Sequence, residues 1–217
     1  MKDNLIVETL IGIFTVDHSN PKILLVRKKV EPYKGYWTLL GNDLNVNETL
    51  ENNITDVVIE QAGLSNISIE QCHCFSNIDR SKEERKIAIA FIGLIDSKTI
   101  ELKQINNNNE LGWFNINDIP KTGYDHDTII KYIIENLRKK LMNSNALKIL
   151  FPSDFTLPEL QKVYEKILDK SLDRRNFRKK FITLDLIEDT GYKNEGFNGR
   201  PAKLYRFKEQ IKEKELF

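Results

Sequence analysis

"NETLENNITDVVIEQAGL", residues 47–64, is the stretch that decides the fold. It predicts a helix that begins near Glu48 or Thr49 and ends at Gly63, because a glycine just past the last turn permits the left-handed closing conformation. The apolar positions at helical spacing are Leu50, Ile54, Val57 and Val58. One face of this helix is therefore predicted to be buried.

The segments on either side of this helix favour a sheet. Five of them are rich in β-branched or aromatic residues: "LIGIFTV" (10–16), "KILLVRKKV" (22–30), "ISIEQCHCF" (67–75), "KIAIAFIGLI" (86–95) and "LGWFNI" (111–116). A second helix is predicted from about Asp127 to Met142. A mixed sheet with flanking helices predicts an α+β or layered α/β domain, which we place at residues 1–143.

The pattern changes after the polar break "NSNA", and residues 144–217 are predicted to form a second domain. "ALKILF" is a short apolar helix, and "TLPELQKVYEKIL" opens with Thr156 and Glu159 at the spacing of a capping box. "LDRRNFRKKFITLDLI" is a third helix with Asp173 as its N-cap. The glycine-rich "IEDTGYKNEGFNGRPAKLYRF" is typical of a hairpin. Short helices followed by a hairpin predict a winged helix-turn-helix.

The helix at 174–180, "RRNFRKK", is strongly basic, with cations at five of its seven positions. From Ser144 onward the chain has 16 Lys and Arg against 12 Asp and Glu, which leaves 17 against 20 before it. At helical spacing, Phe177, Phe181 and Leu184 are predicted to face inward and the cations outward. The predicted DNA-binding residues are Arg174, Arg175, Asn176, Arg178 and Lys179, with Arg200 and Lys203 on the wing. A solvated basic face and a protein-interaction module are the alternatives.

Membrane, secretory and metal-binding classes find little support. No apolar run approaches the roughly 18 residues that span a membrane, and the start "MKDNLIVE" does not resemble a signal peptide. We therefore expect a cytoplasmic protein. Cys72 and Cys74 flank His73, but alternate residues of a strand point to opposite faces, so two reduced thiols are expected rather than a metal site.

The opening stretch resembles the Nudix box, whose glutamates hold Mg²⁺ for the hydrolysis of nucleoside diphosphate derivatives. In this alignment the initial glycine falls on Asn42, and Gly63 and Leu64 close the motif. The box positions that carry the chemistry are Glu48 for the first glutamate, Asp56 for the arginine, and Val57, Glu60 and Gln61 for the three helical glutamates. One carboxylate of that trio survives, so we expect no catalysis, and either no metal or weak binding by Glu48 and Glu60.

The chain as a whole resembles the Nudix-related transcriptional regulators, most specifically in "FTLPELQKVYEKILDKSLDRRNFRKKF" and "GRPAKLYRF". The resemblance implies an α+β protein, in which a Nudix-like α/β/α sandwich with a mixed sheet precedes a winged helix-turn-helix that binds double-stranded operator DNA as a homodimer. It implies an effector such as ADP-ribose, another NAD-related metabolite or a pentose.

The effector-binding residues that the resemblance implies are Arg27, Trp37, Asp79, Arg80, Arg85 and His126. Arginines suit phosphates or sugar hydroxyls, and Trp37 offers an apolar face for a ring. The alternatives are that Trp37 is a core residue and that His126 caps the helix after it. No cofactor is expected. Mg²⁺ is required only under the alternative that the chain is a hydrolase of the ADP-ribose pyrophosphatase type.

Overall fold

A computed structural model of the chain describes residues 5–81, 84–96, 110–143, 146–151, 154–194 and 201–208. The chain divides into two compact units. The first consists of Met1–Thr15 with Lys22–Asn136, and the second of Val16–Pro21 with Leu137–Phe217. Because helix α2, His126–Asn143, contributes to both units, the domain boundary between residues 143 and 144 stays a prediction.

A mixed sheet forms the centre of the first unit, and seven strands of the described residues belong to it. The strands are β1 (Leu5–Asp17), β2 (Asn20–Arg27), β3 (Trp37–Thr38), β4 (Leu40–Asp43), β5 (Ser68–Phe75), β6 (Arg85–Leu94) and β7 (Glu110–Asn115). The order is β3-β2-β1-β6-β5, with β4 on β1 and β7 on β2, and β1 runs parallel to β6. All five predicted strands are confirmed, whereas β3 and β4 are too short for a pattern to predict.

Helix α1, Leu50–Val57, confirms the predicted box helix. The Thr49 hydroxyl accepts the backbone N–H of Asn52 at its start, and Gly63 closes it at a φ of 61°. The last turn, Val58–Ala62, is π-helical. A π-helical turn bonds residues five apart. The predicted helix thus departs from α-helical geometry in its last turn, which carries Glu60 and Gln61.

The sheet lies between the two helices of the first unit. Ile11 and Ile13 of β1 pack in one buried cluster with Ile54 and Val57 of α1. Gly12, between them, points to the opposite face. A Cβ at Gly12 would lie 3.2 Å from Ile133 of α2, so this glycine lets α2 pack closely. The predicted α/β/α sandwich with a mixed sheet is confirmed.

The second unit has the predicted order of short helices and a hairpin. Its elements are a 3₁₀ turn (Ala146–Leu150), β8 (Phe155–Thr156), α3 (Leu157–Leu168), α4 (Arg174–Thr183), β9 (Ile187–Lys193) and β10 (Lys203–Phe207). The strands pair in the order β8-β10-β9. The predicted third helix was too long at its C-terminus. Asp185 adopts a left-handed φ of 56°, and Leu186 and Ile187 then enter the core.

Aromatic packing holds the second unit together. Tyr164 of α3 lies edge-on to Phe177 and Phe181 of α4, with ring centroids 5.5 and 5.3 Å apart. The ring of Phe207 in β10 packs against the ring of Phe155 in β8, with ring centroids 4.9 Å apart. All five side chains are buried, so this small unit has a core of its own. Within the described ranges, no helix is long and apolar enough to cross a membrane.

Candidate functional site

The box positions of α1 and its π-helical turn do not form a carboxylate cluster. Val57 is only 3% exposed and belongs to the core. The Gln61 side-chain amide donates a hydrogen bond of 2.9 Å to the carbonyl of Gly41. A carboxylate at position 61 could not donate this bond and would repel the carbonyl oxygen. Asp56 and Glu60 are exposed.

Glu48 serves the loop before α1 as a hydrogen-bond acceptor. Its Oε2 accepts the backbone and side-chain N–H groups of Asn45 at 3.3 and 3.0 Å, and the Asn53 amide at 3.0 Å. The bond from Asn53 is the largest cause of a lowered Glu48 pKa. Asn53 is buried, donates to the Asp43 carbonyl and accepts from the Thr9 hydroxyl. Asn53 was not among the predicted site residues, because a polar residue on a buried helical face is not by itself a signal of a site.

No group of three His, Cys, Asp or Glu side chains able to hold a metal ion occurs in the part of the chain that the structure describes. Glu48 and Glu60 are the positions for which the sequence predicted weak binding. The Oε2 atom of Glu48 already accepts three hydrogen bonds, so this oxygen would have to give up some of them to coordinate a cation.

A polar cavity of about 300 Å³ lies beside the box loop. Its wall includes Gly41, Asn42, Thr38 and Leu39 from the region of β3 and β4. The charged side chains in this wall are Glu8, Asp43, Glu84 and Asp125, and Lys28, Arg80 and Lys86. Since acids and bases are mixed, the cavity suits a ligand with both hydroxyl and anionic groups.

Arg80, one of the predicted effector residues, lies in this wall and is almost fully buried. Its side chain is 3% exposed and donates to Glu8 at 2.6 Å and to both oxygens of Asp125 at 3.1 Å. This paired geometry uses the planar fork of the guanidinium. Arg80 thus ties β1 to the loop that precedes α2.

His126, a second predicted effector residue, also lies in the wall, as the first residue of α2. Its Nδ1 accepts the backbone N–H of Leu39 at 3.0 Å, so the ring proton is on Nε2. Burial, followed by the positive charges of Arg80 and Lys28, lowers the pKa of His126 to about 3. The ring is therefore neutral at physiological pH.

The other four predicted effector residues lie outside the cavity wall. Arg27 donates to both oxygens of Glu110 at 3.2 Å, and Asp79 is exposed. Arg85 donates to the carbonyls of Ser76 and Asn77, which holds the loop between β5 and β6. Trp37 packs edge-on against Phe114, with ring centroids 4.6 Å apart.

Two further charged groups of the wall were not among the predicted site residues. The Lys28 ammonium donates a hydrogen bond to the hydroxyl of Tyr124 and lies 4.6 Å from the centre of its ring. Lys86 pairs with Asp43 at 3.0 Å; burial opposes its charge, but the bond to Asp43 and the neighbouring acids raise its pKa. Both lysines come from strands or strand ends distant in sequence from the box, and no local pattern connects them with it.

Helix α4 presents a basic face, as predicted. Asp173 caps the helix by accepting the Asn176 backbone N–H at 2.8 Å. Phe177 and Phe181 are buried, and Leu184 is half-buried. The predicted DNA-binding side chains on this helix are all exposed: Arg174, Arg175, Asn176, Arg178 and Lys179. The helix can therefore place four cations and one amide against a partner.

The wing residues have different environments. Lys203 forms an ion pair with Asp189 on the adjacent strand, with Nζ and Oδ2 2.6 Å apart. The hydrogen bond from Lys203 is the largest cause of a lowered Asp189 pKa, and Arg178 adds to it. A groove of about 190 Å³ is lined by Lys203, Arg174 and Arg178 together. Arg200 lies outside the described residues.

The comparisons with known proteins cover both parts of the chain. Residues 148–207 match the family described as the NrtR DNA-binding winged helix domain. The ADPR responsive transcriptional repressor NtrR of Acinetobacter baylyi is 29% identical over 200 residues, which span 90% of this chain and 79% of that protein. The ADP-ribose pyrophosphatase of Methanocaldococcus jannaschii is 30% identical over 130 residues, which span 60% of this chain and 76% of that enzyme.

A solved structure matches nearly the whole chain. Shewanella oneidensis NrtR, complexed with a 27mer DNA, has a TM-score of 0.79 and 28% identity, and the match covers 93% of each chain. The order of a Nudix sandwich followed by a winged helix is thus shared with this DNA-bound protein over nearly its whole length. The chain belongs to the family of Nudix-related transcriptional regulators, in which a Nudix domain is fused to a winged helix-turn-helix.

Proposed function

We propose that this protein is a transcriptional repressor that binds operator DNA through α4 and its wing, and that ADP-ribose or another NAD-related metabolite, bound in the Nudix cavity, controls it. A pentose is the other effector class. The observation that carries this proposal is the exposed basic face of α4 above two buried phenylalanines. The similarity to an ADPR responsive repressor and to a regulator complexed with DNA supports it.

The side chains of α4 suit the major groove of DNA. An arginine pairs bidentately with guanine, an asparagine with adenine, and a lysine holds phosphates. We propose that two copies of the chain form a homodimer, so that two winged helices meet half-sites about one turn, roughly 34 Å, apart. An effector that changes operator affinity 5- to 150-fold needs a coupling of only ~1 to 3 kcal/mol. Such a regulator acts where the DNA is, so a cytoplasmic location is part of this proposal.

We further propose that the Nudix unit does not hydrolyse ADP-ribose and needs no cofactor. Mg²⁺ is held mainly by carboxylate charge, and the box helix offers Val57 and Gln61 at two of the three ligand positions. The Val57 side chain is packed in the hydrophobic core, and the Gln61 side chain is hydrogen-bonded to the carbonyl of Gly41. The residues present therefore do not fit a catalytic magnesium site.

The DNA-binding part is tested by mobility shift with the DNA upstream of the protein's own gene. The double variant Arg174→Ala with Arg178→Ala should abolish the shift at low salt, because it removes two exposed cations of α4. The control, Lys29→Ala with Lys131→Ala, removes the same charge from exposed sites of the first unit and should shift DNA as the wild type does. If both double variants lose DNA binding equally, the protein attracts DNA only nonspecifically through its positive charge. If both retain DNA binding, the assignment of α4 as the DNA-binding helix is refuted.

The effector and the absence of catalysis are tested on the same purified protein. ADP-ribose should raise its melting temperature and change its affinity for operator DNA, whereas NAD and arabinose serve as comparisons. Incubation of ADP-ribose with Mg²⁺ should give no AMP. Turnover that is lost on Glu60→Gln would instead establish the hydrolase alternative.

A further inference from the structure

The cations of the Nudix cavity differ in whether a carboxylate already neutralises them. Arg80 is bound by Glu8 and by both oxygens of Asp125, at 3% exposure. Lys86 contacts both oxygens of Asp43, at 3.0 and 3.2 Å. A ligand phosphate that approaches either cation would meet a charge that an acid already offsets. Breaking the buried pairs of Arg80 is strongly unfavourable, because the acids are left without compensation. The Lys86–Asp43 pair is more exposed, with the two side chains 21% and 50% exposed, but Asp43 still offsets the Lys86 charge.

Lys28 differs from Arg80 and Lys86 in its hydrogen-bond partner. Its ammonium donates to the Tyr124 hydroxyl, and not to a carboxylate, and lies over the Tyr124 ring. Within the described ranges, no carboxylate forms an ion pair with Lys28. Its side chain is partly covered and lines the cavity. The Lys28 charge is therefore available to an anionic ligand.

His126 offers a second donor next to Lys28. Because Nδ1 is occupied by the Leu39 amide, Nε2 carries the proton. His126 is 5% exposed and lines the cavity, and no hydrogen bond of its Nε2 occurs among the described residues. The ring centroids of His126 and Tyr124 are 5.3 Å apart, so Lys28 and His126 both lie against the Tyr124 ring.

The backbone around Tyr124 is also unusual. Tyr124 has a left-handed φ of 56° and Tyr33, whose ring centroid is 4.6 Å away, has a φ of 68°. Such conformations cost energy in residues other than glycine and cluster at ligand-binding sites. They place the Tyr124 ring beside both donors.

We propose that Lys28 and His126 form the anion subsite of the cavity, which takes a phosphate group of the effector, and that Arg80 only positions the cavity wall. This inference rests on the proposed effector function. The phosphate would then contact one cation, Lys28, and one neutral donor, the His126 ring.

The test uses calorimetric titration of the full-length protein with ADP-ribose. Lys28→Met should weaken binding about 10- to 100-fold, the usual effect of losing a charge-assisted hydrogen bond. Lys29→Met is the matched control, because Lys29 is the next residue, is exposed and lies outside the cavity wall. Its affinity should equal that of the wild type. Adenosine, which lacks phosphate, should bind Lys28→Met and the wild type equally.

Two substitutions of His126 distinguish the hydrogen bond of Nδ1 with Leu39 from the donation by Nε2 to the ligand. Asn places its amide near the Nδ1 position, and Gln near the Nε2 position. His126→Asn should keep the bond to Leu39 but weaken ADP-ribose binding, and His126→Gln should retain more of the affinity. Melting temperature and operator affinity without effector show that each variant is folded.

The outcomes distinguish this inference from the proposed function. If the wild type binds ADP-ribose and Lys28→Met binds it equally well, the anion subsite is refuted and the proposed function stands. The subsite is likewise refuted if Lys28→Met and Lys29→Met lose affinity alike. If the wild type binds no ADP-ribose, the proposed effector fails, and this inference fails with it.

Discussion

Restoring the first glutamate of the Nudix helix by Val57→Glu should destabilise the protein instead of creating a hydrolase. Val57 is 3% exposed and packs in the cluster with Ile11, Ile54 and Phe91. Loss of a buried aliphatic side chain costs about 1.5 to 3 kcal/mol. A buried glutamate has a pKa of roughly 8 to 9, so keeping it protonated at pH 7, against an ordinary pKa of about 4.3, costs about 4 kcal/mol more.

The sum, roughly 5 to 7 kcal/mol, is comparable with the whole stability of a typical domain, about 5 to 15 kcal/mol. The assay is urea unfolding at pH 7 and at pH 4.5. The penalty of Val57→Glu should shrink at the lower pH, because the unfolded chain also holds its carboxyl protons there.

Ile59→Glu is the matched control for this prediction. It makes the same aliphatic-to-acid change two residues later, at a side chain that is 51% exposed. It should therefore cost less than about 1 kcal/mol. Equal stability of Val57→Glu and Ile59→Glu would refute the reasoning, and Mg²⁺-dependent hydrolysis of ADP-ribose by Val57→Glu would show that position 57 still faces a working site.

Three further predictions concern the wing, the cavity and α3. Asp189→Asn removes the acid that pairs with Lys203, so operator affinity should rise. The slope of log K against log salt concentration should steepen by about 0.9 per protomer. Filter binding at several salt concentrations measures both quantities. The pKa of His126 is about 3 in the folded protein, against an ordinary value of 6.5. The contribution of His126 to stability is therefore complete above pH 6.5 and is lost as the pH falls. Thermal unfolding should show a loss of roughly 2 kcal/mol at pH 5, and His126→Gln should not show this loss. Thr156→Ala breaks the capping box with Glu159 and should cost about 1 kcal/mol in urea unfolding, whereas an unchanged midpoint would contradict this role for the cap.

Much of the fold was predictable because its signals are local. Thr49 and Gly63 bound the box helix as expected, except that its last turn is π-helical. The capping box at Thr156 and the inward phenylalanines of α4 were likewise predictable from spacing. These features depend on residues within one or two turns of each other, so the sequence pattern carries them directly.

The site was less predictable, because its contacts join distant parts of the chain. Arg80 and His126 were named as effector residues, and both lie in the cavity wall. However, the two acids that pair with Arg80 are 72 and 45 positions away in the sequence. Because of these buried ion pairs, Arg80 holds parts of the cavity wall together and is not free to bind a phosphate. Lys28 had no local pattern to mark it, since its importance comes from Tyr124, 96 positions away.

The sequence by itself determined that two acids of the box trio are missing and that positive charge is concentrated on one helix of the C-terminal unit, since residue identity and helical period are sufficient for both. Only the tertiary structure decided which charges of the Nudix cavity remain unpaired. An ion pair depends on distances of a few ångströms between side chains from different strands and loops, and pairing cancels a charge that composition still counts.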